Sequence, residues 1–272
     1  MSVVLGIDAA WTEKEPTGIA LISQGESGWR CDAVAPSYDA FVDLANGIPV
    51  AWTAGRFTGS RPNLARLLAA AESLLPGRQV SLIAVDMPLS LKAIEGRRSA
   101  DDEIARAFGR YGCSPHSPTV QRPGAIATQF REAAAACGYD LATATTPAGS
   151  PSRLIEVYPH PALLALLPAS YRVPYKVGKS RRYWPASTPA ERKGELIRQF
   201  AKIRQALSVQ ITDIPVVLPD PTDVATVSGL KRYEDALDAL ICAWVGTCYL
   251  ARRATAYGDA QATIWVPSTN GD

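Results

Sequence analysis

The sequence predicts a single α/β domain with a mixed sheet flanked by helices, and three observations carry that expectation. Short apolar runs at Val3–Ile7, Gly18–Ile22 and Trp29–Val34, with Gly25 and Gly28 between the last two, read as a three-stranded meander. A helical pattern and then a further apolar run at Leu82–Val85 complete a β-β-β-α-β order. With 272 residues, 47% of them apolar, and no long repeat, the chain has the material for one sizeable core across residues 1–272.

The elements follow in order. The first apolar run ends in Asp8. Pro62 opens a helix whose Leu64, Leu67, Leu68, Ala71, Leu74 and Leu75 recur at helical spacing before Pro76-Gly77 stops it. Leu82–Val85 is a buried strand ending in Asp86. Residues 97–150 read as a helical insertion. Ser99 caps its first helix, Ile104, Phe108 and Tyr111 line one face, and Gly112 ends it. A Pro-rich loop, Cys113–Thr119, leads to a second helix carrying Ile126, Phe130, Ala133 and Cys137.

Leu154–Tyr158 is a core strand that contains Glu156, with a short helix around Leu163–Leu167 after it. Thr188-Pro189-Ala190-Glu191 is a capping box opening a helix that buries Leu196, Phe200, Ile203 and Leu207 and turns its Arg and Lys residues mainly outward. The last helix runs from about Lys231 to Arg253 with an apolar stripe of Leu237, Leu240, Ile241, Trp244 and Cys248. At about 100° per residue, Asp235 and Asp238 stand about 60° apart, at the edge of the buried face.

A net charge of +2 excludes little, but the charge is unevenly spread. The segment at about 170–208 is basic: ten Lys or Arg from Arg172 to Arg204 face only Glu191 and Glu195. Tyr171, Tyr175, Tyr183 and Trp184 are interleaved with them. That composition suits a nucleic-acid partner, with Lys176, Lys179, Arg181 and Arg182 on phosphates and Tyr183 and Trp184 stacked on bases. A solvated helix face with a mobile loop is the alternative. Neither DNA over RNA nor any oligomeric state follows. No apolar stretch approaches the ~20 residues of a membrane span, and five cysteines without C-x-x-C spacing read as buried thiols, so a soluble, cytoplasmic protein is expected.

The chemistry lies in the acids. Asp8, Asp86 and Glu156 each sit among apolar neighbours, where an isolated carboxylate costs several kcal/mol. Converging carboxylates relieve that cost on a hard, oxygen-seeking cation, Mg²⁺ or Mn²⁺. Two such ions about 4 Å apart suit phosphodiester hydrolysis. Taken singly, Asp8 and Asp86 also read as turn formers, and Asp235 as a helix N-terminal acid. His116 and His160 have no zinc-ligand spacing, and neither a G-x-S-x-G elbow nor a P-loop occurs. Gly55–Ser60 is a loop, passive or in touch with substrate.

Gly6-Ile7-Asp8, Ala84-Val85-Asp86-Met87-Pro88, Glu156-Val157-Tyr158-Pro159 and Glu234-Asp235-Ala236-Leu237-Asp238 stand in an order that resembles an uncharacterised family described as predicted ribonuclease H-like nucleases. Arg98-Ser99-Ala100-Asp101 resembles an Arg-x-x-Asp element of the same family, so the likeness spans nearly the whole chain. The resemblance implies a ribonuclease H-like fold with metals on Asp8, Asp86, Asp238 and Asp235. Glu156, a further catalytic candidate, lies on a strand where the wider superfamily has no fixed ligand. The function so implied is metal-dependent hydrolysis of nucleic acid. Two others remain open: a binding or scaffold module that has lost turnover, and an actin-like or sugar-kinase-like phosphotransferase, which needs a second β-β-β-α-β unit.

Overall fold

The computed structural model describes residues 1–53 and 57–268. The meander forms as β1 (Val3–Asp8), β2 (Gly18–Gly25) and β3 (Gly28–Ala35), each antiparallel to the next. Gly28 turns the β2–β3 hairpin at φ +119°, a conformation that excludes a side chain. A helix absent from the sequence reading follows, α1 (Tyr38–Ala45), capped by Ser37 Oγ accepting from the Ala40 N–H. Next come α2 (Leu64–Leu74), capped by Asn63, and β4 (Leu82–Val85), parallel to β1.

The expected insertion holds α3 (Ser99–Phe108), α4 (Ala125–Ala136) and a two-residue strand, β5 (Asp140–Leu141). It is tied into the sheet, because β5 pairs with β6 (Arg153–Val157), which runs parallel to β4. The cap of α3 is Arg98 and not Ser99: the Arg98 backbone N–H donates to Asp101 Oδ2. The chain continues through α5 (Pro159–Leu166), a single turn α6 (Ser180–Tyr183), α7 (Pro189–Gln210) behind its Thr188–Glu191 capping box, and β7 (Ile211–Thr212). It closes with α8 (Lys231–Leu250) and the hairpin β8 (Ala254–Gly258) and β9 (Thr263–Pro267). The periodicity predicted α8 but missed β7 to β9, whose short strands carry little alternating signal.

The described residues form a mixed α/β fold. Its sheet runs β7-β3-β2-β1-β4-β6-β9-β8, with β5 attached to β6. Strand alternation sends Val4, Ala20 and Ala84 to one face, packed by α5, α7 and α8, and Leu5, Ile19 and Val85 to the other, packed by α1, α2 and α4. Ala100 and Ile104 of α3 close over Ile264 and Val266 of β9.

Helix α8 lies between the sheet and α7, so every residue from Tyr233 to Tyr249 is buried. Asp235 and Asp238 therefore stand inside the protein and not at a wetted edge, because the helix is covered on all sides. Glycines make this approach possible. A Cβ on Gly6 would stand 2.2 Å from Ala239 O, and one on Gly18 2.0 Å from Asp235 O. Among the described residues, no helix is long and apolar enough to cross a membrane.

A candidate carboxylate site

Ile7 and Val85 are opposite one another on parallel β1 and β4, so Asp8 and Asp86 leave the sheet at the same, C-terminal edge. Ile7 and Val85 face α1, α2 and α4; by alternation the two carboxylates turn toward α8. Helix α8 runs antiparallel to β1 and brings its N-terminal turns to that edge, Asp235 against Gly18, which itself pairs with Asp8. Asp8, Asp86, Asp235 and Asp238 are thus gathered from two strands and one helix, close enough that Asp8 raises the proton affinity of each of the other three.

Two lysines enter the cluster. Lys176 pairs with Asp238, whose other oxygen accepts from Tyr175 Oη at 2.5 Å. Lys231 pairs with Asp235 and reaches Glu234 Oε1 at 2.8 Å, while Glu234 Oε2 accepts from the Val177 N–H at 2.5 Å. Five carboxylates thus share two ammonium groups. Burial pushes Asp238 up to about 7; Lys176 opposes this, and Asp8 and Glu234 add to it. Asp86 is raised well above the carboxylate range by burial and by Asp8, and Asp235 by burial and Asp8 against the pull of Lys231. Burial also opposes ionisation of Glu234, yet Lys231, Lys176 and the Val177 N–H hold it below its ordinary value.

Among the described residues, no three acidic, His or Cys side chains are arranged to hold a metal ion as they stand. Glu234, Asp235 and Asp238 are each turned to a lysine instead. Even so, the donor set is made of carboxylate oxygens, which suits Mg²⁺ or Mn²⁺, and Asp235 Oδ2 is buried with no hydrogen-bond partner. Lys231 keeps 45% of its side chain exposed and has room to move out of Asp235's way.

Asp8, Asp86, Asp235 and Lys231 line a cavity of about 630 Å³. Trp11, His116 and Arg122 line it too, so the 97–150 segment contributes to its wall.

The remaining candidates separate. Glu156 alternates to the opposite face from Ile155 and Val157 and meets Arg98 in a two-pronged pair, Nη1–Oε2 2.6 Å and Nη2–Oε1 2.7 Å, with the Leu89 N–H at 2.7 Å. Burial raises its pKa although Arg98 opposes the shift. In this geometry Glu156 pairs with Arg98, which also holds Asp101, and it shares a cavity with Asp86, whose proton affinity it raises. Lys176, read from sequence as a surface phosphate contact, instead stands inside the cluster against Asp238. Lys179 lines a neighbouring cavity, and Arg181 and Arg182 are exposed. Tyr183 and Trp184 are half-buried and meet edge to face at 5.6 Å, with Trp184 leaning on the core. Of the Gly55–Ser60 loop, Gly55 and Arg56 lie outside the described residues.

Sequence reasoning overlooked Lys231 and Arg98 as charge partners. Lys231 stands three and four residues before Glu234 and Asp235, the spacing of a helical ion pair, and was legible. Arg98 reaches Glu156 across 58 residues, which no local pattern reveals.

A family model described as "Protein of unknown function (DUF429)" matches residues 6–262. No curated protein and no solved structure matches the chain.

Proposed function

The chain belongs to the DUF429 family, and from that premise we propose that it is a metal-dependent phosphodiesterase acting on nucleic acid, with a ribonuclease H-like core. The topology supports the core assignment: an antiparallel β1–β2–β3 meander, β4 parallel to β1, and acids at the ends of β1 and β4 facing a late helix. One observation carries the activity. Asp8, Asp86 and Asp235 surround one cavity, in a cluster with more carboxylates than ammonium groups, and leave the buried Asp235 Oδ2 unpartnered.

Asp8, Asp86 and Asp235 would hold Mg²⁺ or Mn²⁺, with Asp238 behind them. A bound divalent ion supplies Lewis-acid stabilisation of charge on the phosphoryl oxygens. The chain's own residues do the rest. Tyr175 and Lys176 fix the Asp238 carboxylate, Glu234 keeps Lys231 beside the cavity, and exposed Arg181 and Arg182 with Lys179 offer charge to a phosphate backbone. The test is cleavage of an end-labelled oligonucleotide, DNA and RNA in turn, with Mn²⁺, Mg²⁺ or EDTA. Cleavage that requires the metal and disappears in Asp8→Asn supports the proposal. Metal-independent cleavage, or equal cleavage by Asp8→Asn, overturns it.

A binding module without turnover is the second reading, and the pairing of three acids with Lys176 and Lys231 favours it. It predicts oligonucleotide binding with no effect of Mn²⁺ on either affinity or integrity of the strand.

A further inference from the structure

A second cavity, of about 380 Å³, adjoins the first and shares Trp11, Asp86, His116, Arg122 and Lys231 with it. Arg172, Lys179 and His160 line it, and of its acids Asp101 and Glu156 are paired with Arg98 and Glu234 with Lys176 and Lys231, which leaves Asp86, among the described residues, as the acid without an ion-pair partner. Among the described residues, none of Arg122, Arg172 and Lys179 stands in an ion pair. This is unlike the carboxylate cluster, where both lysines have a carboxylate.

Arg122 and Arg172 are also held in place. Thr119 and Arg122 form a closed turn, the Thr119 N–H donating to Arg122 O at 2.8 Å and the Arg122 N–H to Thr119 O at 3.1 Å. The Arg122 guanidinium lies 5.8 Å from the Trp11 ring centre. The Arg172 backbone N–H donates to Tyr111 O at 2.8 Å, and its guanidinium donates to His160 Nε2. Because guanidinium has no acceptor, His160 carries its proton on Nδ1, and that atom is buried, in a residue 3% exposed, with no hydrogen-bond partner. The mutual repulsion is felt locally. Burial and then Lys179, Arg172 and Arg122 lower the His116 pKa, and burial and then Arg172 and Lys176 lower that of Lys179. Fixed, unpaired like charges around a cavity are unfavourable until an anion enters, and two guanidinium forks match the oxygens of a phosphoryl group.

We propose that Arg122, Arg172 and Lys179 form an anion subsite that takes a phosphoryl group of the substrate and holds it across the cavity from Asp86. Identifying that anion with the group to be cleaved rests on the phosphodiesterase reading; the capture of a phosphate does not. The subsite gives the 97–150 segment a role, since its Arg122 turn reaches the strand ends that carry the acids.

The test is calorimetric titration of inorganic phosphate into the full chain in EDTA at low salt. Wild type is expected to bind phosphate saturably, and Arg122→Gln/Lys179→Gln to bind it at least about tenfold more weakly, ~1.4 kcal/mol. The melting temperature of the double variant is expected to be no lower than wild type, which excludes loss through misfolding. Arg172 is left in place because it anchors His160. Displacement of phosphate by a dinucleotide with only an internal diester assigns the subsite to the backbone, and displacement by a nucleoside monophosphate alone assigns it to a strand end. Asp8→Asn should bind phosphate at least as tightly as wild type. Wild type without saturable binding, or a double variant with unchanged affinity, overturns the subsite whatever the cleavage assay shows. Phosphate binding that survives while metal-dependent cleavage is absent leaves the subsite standing and removes the hydrolase.

Discussion

Gly18 lies directly beneath Asp235: a Cβ on Gly18 would fall 2.0 Å from the Asp235 carbonyl oxygen and 2.4 Å from its carbonyl carbon. The contact is backbone against backbone, so nothing at the end of a flexible side chain can yield. Gly18→Ala is expected to push α8 from β2, costing about 1–3 kcal/mol or more, and to move Asp235 away from Asp8. Urea unfolding measures the first effect and Mn²⁺ affinity the second. A variant with wild-type values for both would show that α8 is not held by this contact.

Asp238 and Glu234 add shifts of opposite sign to the pH dependence of the metal-free protein, beside those of His116 and His160, which burial lowers and whose contribution is lost as pH falls below 6.5. Asp238 has its pKa raised from 3.8 to about 7, so its protonated form is favoured by folding. Its stabilising contribution is full below the unfolded value and is lost as pH rises through about 7. Glu234 is lowered from 4.5, so its contribution is present above 4.5 and lost as pH falls through its folded value. Relative to Asp238→Asn, wild type is expected to lose about 2 or more degrees of melting temperature between pH 5.5 and pH 8, for a shift of ~1 kcal/mol. Parallel pH profiles in the two proteins would contradict the assignment.

Lys231 competes for the carboxylates that a cation would need. Lys231→Met removes the charge paired with Asp235 while keeping much of the stem. Mn²⁺ affinity is expected to rise about tenfold, equivalent to ~1.4 kcal/mol. Equal or weaker Mn²⁺ binding in the variant would place Lys231 outside any competition with metal.

Arg98 holds Glu156 and Asp101 at once, all three buried. Arg98→Ala leaves two carboxylates without a counter-charge and is expected to cost about 3–5 kcal/mol, read by chemical denaturation. Glu156→Gln should destabilise the protein yet leave metal affinity at the Asp8 site intact. Loss of Mn²⁺ binding in Glu156→Gln with unchanged stability would return Glu156 to the site.

The basic segment divides by burial. Lys179→Ala/Arg181→Ala/Arg182→Ala is expected to reduce the salt slope of single-strand binding by up to about 2, at ~0.7 per lost phosphate contact. Lys176→Ala acts differently, because it strips the buried Asp238 of its partner and lowers the melting temperature. An unchanged slope in the triple variant would leave the nucleic acid contacted elsewhere.

Local pattern determined a good deal of this protein. The meander, α2, β4, the α7 capping box and α8 follow from residue spacing and from stop signals such as Pro76-Gly77, because those forces act over a few residues. The presence of acids at the ends of β1 and β4 was equally legible, since a carboxylate after a buried run is conspicuous. Tertiary structure alone decided which acids meet. Strand alternation sent Glu156 to the face of α3 and Asp8 and Asp86 to that of α8, and the sheet order that makes this matter depends on pairings across tens of residues. Burial of α8 on all sides turned an expected amphipathic edge into a core, and it drew Lys176 from an apparently solvated run into contact with Asp238, 62 residues away. The cost of leaving a buried charge unpaired selects such partners, and it acts through space, where sequence spacing carries no information.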